Sequence, residues 1–427
     1  MAAVLGERLL QMGARVLGYP LLLRLNPNTP WKTRGNAALC LRLELPDRLY
    51  GEAVEATRRL VEEQAMFSCG NTNPGAVFWV GEPPGEVRDF SGRAVRSLVS
   101  KGEAAALLEK HGMESLEYKN GRGIVGALAA VGGIPGVDYT FELLAYRCPE
   151  YRGTPRRVDP QSVLEMDNKL SHATFNNVDE RGRPLITPHG PDPVLFGVRG
   201  ETPQAVYTAL SLLKIEEPVE RWMIAVSNQG TEQHFGAPTP ISGLRAYNPA
   251  VVEGWVSGEP ETIRGGHVFF KVADGGGEVV CAAFEPTGGF RSVVRLLRVG
   301  DRVRVFGGVV ERLGGLALNL EKLEVLEVAE LTRLVKPRCP LCGGSTESMG
   351  RGQGLRCRKC GYRDESLKPL PQPVARGLKP GVYLPDKSAH RHLTKPLDRV
   401  GREKKEPYSW EGPTPVPAFS YLAEGAR

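Results

Sequence analysis

The spacing of apolar and polar residues changes along the chain and divides it into regions. Up to about residue 116, apolar residues recur at helical spacing in some stretches and alternate with polar residues in others, which predicts helices mixed with strands. The predicted helices span 2–11, 48–65 and 90–111, and the predicted strands span 15–25, 37–45 and 76–80. We therefore expect the first region to be an α/β domain.

Residues 117–240 show the same two periodicities in a different order. The predicted elements are a strand at 138–147, a helix at 161–170, strands at 173–178 and 194–198, a helix at 202–213 and a strand at 220–227. The order βαββαβ is that of a ferredoxin-like domain. We expect this region to form a second α/β unit.

Residues 250–328 alternate almost throughout, so this region is predicted to be all β. Five strands are expected at 252–257, 267–273, 278–284, 301–311 and 316–328, with a short helix at 290–297 between the third and the fourth. This is the order of an OB-fold, a small barrel that often binds single-stranded nucleic acid. Proteins and sugars are alternative ligands of such barrels.

The charge of the chain is distributed unevenly. The net charge is +6, and the excess of Lys and Arg lies after residue 330, among prolines and scattered aromatic residues. Such a tail is typical of a segment that binds a polyanion, although a solvated tail has the same composition. We expect part of residues 366–427 to order only on binding. No apolar run is long enough for a bilayer and no secretion signal is recognised, so we expect a cytoplasmic protein.

Four of the eight cysteines form two Cys-x-x-Cys pairs separated by 14 residues. The pairs are Cys339 with Cys342 and Cys357 with Cys360. Two such pairs can bring four thiolates to one tetrahedral Zn²⁺, with no position left for a substrate. Redox disulfides are the alternative. We predict a structural zinc site, and the basic residues around it suit an RNA backbone.

Two loops rich in Asn, Pro and Gly, at 26–36 and 70–75, interrupt the first region. Residues 26–36 contain Lys32 and Arg34 beside a glycine, and cations next to free backbone amides suit a phosphate group. The pattern is not a Walker motif. A third Gly-rich segment, 121–123, could open a helix and present its amides to an anion. By composition alone, structural loops with solvated charges explain these segments equally well.

Polar residues in the second region form three further groups. Asp159 precedes a predicted helix and could bind a ligand or act as its N-cap. His189 and Asp192 lie in a stiff, proline-rich loop, and Asn228 and Gln229 follow a predicted strand. Polar groups at strand ends are frequent binding sites, but a capped turn explains each of them as well.

These motifs together resemble those of the archaeal tRNA-isoleucine 2-agmatinylcytidine synthetases. The resemblance rests on the segments 26–36 (NPNTPWKTRGN), 70–75 (GNTNPG), 121–130 (GRGIVGALAA), 151–159 (YRGTPRRVD), 186–199 (ITPHGPDPVLFGVR) and 227–234 (SNQGTEQH). It also includes Gly265–Val268 and Phe284–Thr287 in the barrel, and the cysteine pairs. The motifs keep their order from near residue 1 to about residue 365.

The resemblance implies a multidomain fold of α/β and β parts. The expected parts are a kinase-like catalytic domain (1–116), a ferredoxin-like domain (117–245), an OB-fold (246–330), a zinc ribbon (331–365) and a basic tail (366–427). It also implies that ATP phosphorylates the wobble cytidine of the CAU-anticodon isoleucine tRNA at carbon-2. Agmatine then displaces the phosphate, and the tRNA reads AUA.

The resemblance further implies cofactors, partners and residue roles. ATP, Mg²⁺ and structural Zn²⁺ are expected, with tRNA(Ile) and agmatine as partners, and neither a membrane nor an obligate protein partner. Catalytic roles are expected for Lys32, Arg34, Asn71 and Asn73. Contacts to ATP are expected from Asn26, Asn28, Lys32, Arg34, Gly121, Arg122 and Gly123. Contacts to the agmatine-bearing substrate site are expected from Asp159, His189, Asp192, Asn228 and Gln229.

One departure from the family pattern concerns the N-terminus. Members are expected to open with a strand ending in Asp-Asp-Thr-Asp-Ser, which supplies acidic residues for Mg²⁺ and ATP. Here Met1 already lies in the helix that should follow, and the first Asp is Asp47. A start codon assigned too far downstream is one explanation, and an inactive tRNA-binding OB-fold and zinc-ribbon protein is the alternative. The chain as printed is expected not to turn over.

Overall fold

The computed structural model describes residues 1–32, 35–136, 138–191, 193–312 and 314–424. Its helices are α1 (Ala2–Gln11), α2 (Tyr50–Gln64), α3 (Gly85–Arg96), α4 (Lys101–His111), α5 (Gly123–Val131), α6 (Pro160–Leu170), α7 (Pro203–Leu212), α8 (Phe290–Val294) and α9 (Ser420–Glu424). None of these helices combines the length and the apolar character needed to cross a lipid bilayer.

The strands fall into the regions that the sequence predicts. The first region holds β1 (Arg15–Val16), β2 (Leu21–Arg24), β3 (Ala37–Cys40), β4 (Leu43–Glu44), β5 (Gly75–Phe78) and β6 (Glu114–Glu117). The second holds β7 (Thr140–Arg147), β8 (Thr174–Phe175), β9 (Val194–Gly200) and β10 (Val219–Ser227). The barrel holds β11 (Pro249–Thr262), β12 (Val268–Ala273), β13 (Glu278–Ala283), β14 (Arg302–Arg312) and β15 (Gly315–Glu327).

The remaining strands lie beyond the barrel. They are β16 (Thr332–Val335), β17 (Thr346–Ser348), β18 (Leu355–Cys357), β19 (Arg363–Asp364), β20 (Leu370–Pro373) and β21 (Gly381–Tyr383). Strands β17, β18 and β19 form a small antiparallel sheet around the cysteine pairs, and β16 pairs with β20. The zinc-ribbon architecture predicted from the cysteine spacing is confirmed.

The first region is more interrupted than the sequence predicts. The helix expected over 90–111 is divided between α3 and α4, because Ser100 starts a new helix with a capping box to Glu103. The strand expected over 15–25 is divided between β1 and β2, where Gly18 adopts a positive φ of 63°. Both breaks follow from local backbone preferences within longer apolar stretches.

The ferredoxin-like order βαββαβ is confirmed, and its sheet extends into the first region. The six strands of this sheet lie in the order β3-β2-β10-β7-β9-β8. Strand β2 pairs in parallel with β10, with Val226 opposite Leu21. The sheet therefore crosses the boundary expected near residue 116, while the division of the chain into domains stays a prediction.

The OB-fold is also confirmed, with α8 between its third and fourth strands. Its sheet has the order β13-β12-β11-β14-β15, and pairing of β13 with β15 closes the barrel. The interior is filled by buried aliphatic and aromatic side chains, among them Val252, Phe270 and Leu318. Strand β21 from the basic end of the chain pairs with β15 and extends this sheet.

The last segment, 386–424, crosses the first two regions, and we call it the C-terminal strap. Part of residues 366–427 is expected to order only on binding, but within that range the strap contributes Leu393 and Phe419 to the main core. Its Arg399 side chain is fully buried between Asp138 and Glu201. Backbone hydrogen bonds join Gly230 N to His392 O and Ile224 N to Ala418 O, each at 2.8 Å. The strap is therefore part of the body of the protein.

Candidate functional site

A cleft of about 1150 Å³ lies in the first region. Its walls include β3, β5 and the start of α5. Within the described residues, β3 pairs with β2 alone and β5 with β6 alone, so each presents an unpaired edge. Gly75 of β5 and Gly123 of α5 meet backbone to backbone, and a side chain at either position would collide with the other. This contact fixes the helix start beside the cleft.

Several residues singled out in the sequence line this cleft. They are Lys32, Asn71, Asn73, Arg122 and Gly123. Asn73 donates to the carbonyl oxygen of Asn71 at 3.2 Å, and its own Oδ1 is buried without a hydrogen-bond partner in the described chain. Because a buried polar atom without a partner is costly, a donor from a bound ligand would stabilise this arrangement.

Lys32 is a cation in the cleft whose surroundings disfavour its protonated form. Its side chain is half-buried, and burial together with the nearby Arg391 guanidinium lowers the pKa of its ammonium group. Across the described ranges, no carboxylate forms an ion pair with it. A bound anion would compensate both effects, since an opposite charge favours the protonated form.

An exposed aromatic ring stands at the mouth of the cleft. Trp31 is 59% exposed, and the Arg122 guanidinium lies 5.8 Å from its ring centroid. A planar ring beside a cation can bind the flat face of a base, because both stacking and cation–π attraction are available there. The cleft therefore offers an anion-binding wall and a stacking surface together.

Asn26 and Asn28 hold their loop in place instead of facing the cleft. Asn26 donates to the carbonyl oxygen of Tyr247 at 2.8 Å and accepts from the amide of Asn28 at 2.9 Å. The Oδ1 of Asn28 accepts a 2.7 Å hydrogen bond from Arg391. Gly121 adopts a positive φ of 74° just before the cleft. Arg34 lies outside the described residues.

The described residues that we expect to bind agmatine are not brought together in either of the two cavities. Asp159 caps α6 by accepting from the Gln161 amide at 3.0 Å, as the simpler interpretation anticipates. Asn228 bonds both the amide and the carbonyl of Arg24, and Gln229 is buried against Glu142. These three line neither of the two cavities described here.

His189 lines a second cavity of about 490 Å³, together with Arg147, Arg156 and Thr187. Arg147 is buried and forms an ion pair with Glu217 at 2.8 Å. Arg156 donates to the carbonyl oxygens of Pro188 and Gly190. The arginines therefore build the walls of this cavity. Asp192, expected in the same loop, lies outside the described residues.

A buried charged cluster beneath the loop 26–36 was not predicted. Glu142 forms ion pairs with Arg24 at 3.5 Å and with Arg199 at 3.2 Å. Arg199 also contacts Nδ1 of His392 at 3.2 Å. Burial and the positive charges of Arg24, Arg199 and Lys32 hold the pKa of His392 well below its usual value. The available sequence signal was the presence of two charged residues, Arg24 and Glu142, inside the predicted strands 15–25 and 138–147.

The four paired cysteines fit one metal ion. Their sulfur atoms lie within 4.8 Å of one another, with 3.7 Å between Cys339 and Cys360 and 3.4 Å between Cys342 and Cys357. A tetrahedral Zn²⁺ with sulfur ligands needs separations of about 3.8 Å. The amides of Lys359 and Cys360 point to the Cys357 sulfur, which favours its thiolate form.

Four family profiles match the chain in order. They are the TiaS TCKD domain over residues 2–47, the TiaS FLD domain over 121–234, the OB-fold nucleic acid binding domain over 250–326 and the TiaS C-terminal zinc ribbon domain over 336–378. The order and spacing of these matches agree with the architecture described above.

Proteins with known names match over almost the whole chain. The isoleucine-2 tRNA 2-agmatinylcytidine synthetase TiaS of Archaeoglobus fulgidus is 42% identical over 404 residues, which cover 94% of each chain. The crystal structure of TiaS in complex with isoleucine-2 tRNA and ATP is similar with a TM-score of 0.83 at 41% identity, covering 93% of this chain and 92% of that one. The complex of TiaS with the same tRNA, AMPCPP and agmatine gives 0.81 at 39%, with the same coverage.

Proposed function

Because the chain belongs to the TiaS family of isoleucine-2 tRNA 2-agmatinylcytidine synthetases, we propose that it is an ATP-dependent ligase acting on tRNA. It attaches agmatine to carbon-2 of the wobble cytidine of the CAU-anticodon isoleucine tRNA, which then reads AUA. The alternative, a tRNA-binding protein without chemistry, is not favoured by the similarity to the ATP and agmatine complexes. We place this ligase in the cytoplasm, together with its tRNA substrate.

The observation that carries this proposal is the composition of the cleft. The half-buried ammonium of Lys32 and the Arg122 guanidinium line one cavity with the unsatisfied Oδ1 of Asn73. Cations suit the phosphates of ATP, and Trp31 offers a ring on which a base can stack. The cleft volume of about 1150 Å³ exceeds what a single nucleotide needs.

In this reaction the protein chiefly has to position the reactants and to supply positive charge. The carbon-2 oxygen of cytidine is a poor leaving group until a phosphoryl group is transferred to it from ATP. The agmatine amine then forms the new bond at carbon-2, and phosphate leaves with that oxygen. Lys32 would stabilise negative charge during the transfer, since phosphoryl transfer depends on positioned cations. We expect Mg²⁺ to enter with ATP, bound mainly through the phosphate oxygens.

The other parts of the chain suit the tRNA. The OB barrel and the basic zinc ribbon offer surfaces for an RNA backbone. A base-modifying enzyme must also draw its target out of the anticodon stack. The roles of Asp159, His189, Asp192, Asn228 and Gln229 towards agmatine stay predictions, as do those of Arg34, Asn71 and Gly121 at the cleft.

The direct test is mass spectrometry of nucleosides from the CAU-anticodon isoleucine tRNA after incubation with ATP, Mg²⁺ and agmatine. The chain as printed and a version extended upstream would be assayed in parallel. We expect agmatinylcytidine, dependent on both ATP and agmatine, from the version that carries the Asp-Asp-Thr-Asp-Ser segment of the family. Tight tRNA binding without product in either version would favour the binding protein instead.

A matched pair of variants tests the phosphate role. Lys32→Ala should raise the KM for ATP by about ten- to hundredfold, because a charge-assisted contact to phosphate is lost. Lys110→Ala is the control, since that ammonium pairs with Glu86 at 2.6 Å on the surface, outside the cleft. An unchanged KM in Lys32→Ala would refute the assignment.

A further inference from the structure

The loop that carries Lys32 is held by residues from the far end of the chain. Near its start, Arg391 Nη1 donates to the carbonyl oxygen of Pro27 at 3.2 Å and to Oδ1 of Asn28 at 2.7 Å. At its other end, the ring of His392 lies beside Gly35, with Nε2 3.8 Å from the position of a Cβ on that glycine. Of two consecutive strap residues, Arg391 therefore contacts the start of the loop, and His392 lies near Gly35.

Arg391 is itself fixed from two sides. Its Nε lies 3.3 Å from the Oε1 of Glu321 on β15, and its side chain is 33% exposed. Glu321 is buried, and its second oxygen lies 3.2 Å from Nε2 of His234. One edge of the guanidinium thus contacts a barrel carboxylate while another edge contacts the loop. The extended planar guanidinium can pair by charge with the carboxylate at one edge while it donates hydrogen bonds to the loop from another, whereas the compact ammonium of a lysine reaches one partner at a time.

The backbone of the strap is equally constrained at this point. The amide of Gly230 donates to His392 O and the amide of Glu232 donates to Leu393 O, each at 2.8 Å. Leu393 is buried in the main core. Because the strap cannot shift freely here, the Arg391 guanidinium is a fixed point for the loop.

The charges around the loop also indicate an anion. Arg391 stands near Lys32 as a second cation, and the Glu142 carboxylate is already shared by Arg24 and Arg199. The only carboxylate paired with Arg391 among the described residues is Glu321, which does not line the cleft. Two cations held close together are stabilised when a polyanion binds beside them.

We propose that Arg391 is a positioning residue for ATP: it holds residues 26–32 against the OB barrel so that Lys32 faces the phosphates in the cleft. This inference rests on the proposed function, because it assigns the cleft to ATP. The C-terminal strap is then part of the machinery for nucleotide use, and the basic end of the chain serves more than RNA.

The test compares Arg391→Ala, Arg391→Lys, Lys32→Ala and the control Lys405→Ala, an exposed strap lysine. Each full-length variant would be titrated with ATP and with the CAU-anticodon isoleucine tRNA by calorimetry, and its melting temperature measured. We expect Arg391→Ala to weaken ATP binding by about tenfold or more and to leave tRNA affinity close to wild type. The melting temperature should fall, because the buried Glu321 carboxylate loses a cation. Arg391→Lys should recover only part, since it reaches one partner at a time.

The outcomes separate this inference from the proposed function. If Lys32→Ala weakens ATP binding and Arg391→Ala does not, the positioning role is wrong and the phosphate site stands. Equal losses of ATP affinity, tRNA affinity and melting temperature in Arg391→Ala would mean a structural role alone. If the wild-type chain binds no ATP, the proposed phosphate site is wrong. Hydrogen exchange then tests the positioning role of Arg391. Unchanged exchange of the backbone amides of Asn28, Trp31 and Lys32 in Arg391→Ala would overturn that role.

Discussion

The zinc ribbon, residues 331–365, and the C-terminal strap, 386–424, share the same basic end of the chain but are stabilised in opposite ways. The ribbon buries little apolar surface: Leu355 is buried, whereas Leu341 is 71% exposed. Its four sulfur atoms around one metal supply the stability that its small core cannot. The strap has few regular elements, yet it places Leu393, Arg399 and Phe419 in the core of other regions.

The difference shows that basic composition does not reveal what a segment does. In the ribbon, the positive charges stay on the surface, where an RNA backbone can reach them. In the strap, Arg399 is enclosed and Arg391 is held by a loop and a carboxylate. Whether a cation faces solvent or is paired inside depends on the apolar residues that accompany it.

Removal of zinc should have the largest effect and should affect the ribbon alone. Structural Zn²⁺ contributes about 10 to 16 kcal/mol of apparent binding free energy in small zinc domains. A chelator, or Cys357→Ser, should therefore abolish amide protection in residues 339–364 while the main unfolding transition moves little. Cys69→Ser, at an exposed thiol, should leave the zinc content unchanged. Unfolding of the whole protein would contradict the separation of the two regions.

Arg399→Met should cause the next largest loss. The guanidinium donates to Glu201 at 2.6 Å and to Asp138 at 2.9 Å, and its removal leaves both carboxylates without this buried partner. Loss of one partner of a buried ion pair costs about 3 to 5 kcal/mol. Urea unfolding would measure it, with Arg402→Met as the control, since Arg402 donates to the surface carbonyls of Ser171 and His172. Equal effects of the two would argue against a structural strap.

Gly6→Ala should have a smaller effect of the same sign. A Cβ on Gly6 would lie 2.6 Å from the Phe419 ring, so α1 and the strap must separate. Overpacking of this kind costs about 1 to 3 kcal/mol. Gly51→Ala is the matched helical control, because open space surrounds that position, and it should stabilise α2 by roughly 0.5 to 1 kcal/mol. Thermal unfolding would show whether Gly6→Ala lowers the melting temperature and Gly51→Ala raises it.

Acid should produce the smallest effect, and it should act on the strap through His392. Burial and neighbouring cations hold the pKa of His392 well below its usual value, so the folded state keeps the ring neutral. The unfolded chain binds a proton near pH 6.5, and the free energy of unfolding should therefore fall as the pH drops below that value. His392→Gln should flatten this dependence, whereas His172→Gln, at an exposed ring, should not. An unchanged slope in His392→Gln would contradict the assignment.

The order of the elements was predictable because it depends on local patterns. Alternation and helical spacing are sufficient for βαββαβ and for the OB-fold, and the cysteine spacing is sufficient for the zinc ribbon. These predictions are confirmed. The pairing of β2 with β10 was not predictable, because strands that pair across a long stretch of chain leave no local signal. Tyr408, Trp410 and Phe419 in the basic tail were the available indication that this segment packs against a core.

The candidate site was predictable to a similar extent. Lys32, Asn73 and Arg122 come together at the cleft from three loops that the sequence marks by their Asn, Pro and Gly content. Asn228 was singled out for its polar character, but its side chain joins two strands. A single sequence does not distinguish a polar residue that binds a ligand from one that satisfies its own backbone. The role of Arg391 was not predictable because its partners are distant along the chain, with Asn28 363 positions away.

The pairing of β2 with β10 also affects how the chain is made. Leu21 emerges from the ribosome about 200 residues before Val226, its partner across the sheet. At synthesis rates of about 5 to 20 residues per second, β2 pairs early with β3 but waits roughly 10 to 40 s for β10 at its other edge. During that time the apolar edge Leu21–Leu23 is open to pairing with other nascent chains. Because this sheet joins the two regions, we expect a chaperone to bind the unfinished polypeptide until β10 has been made.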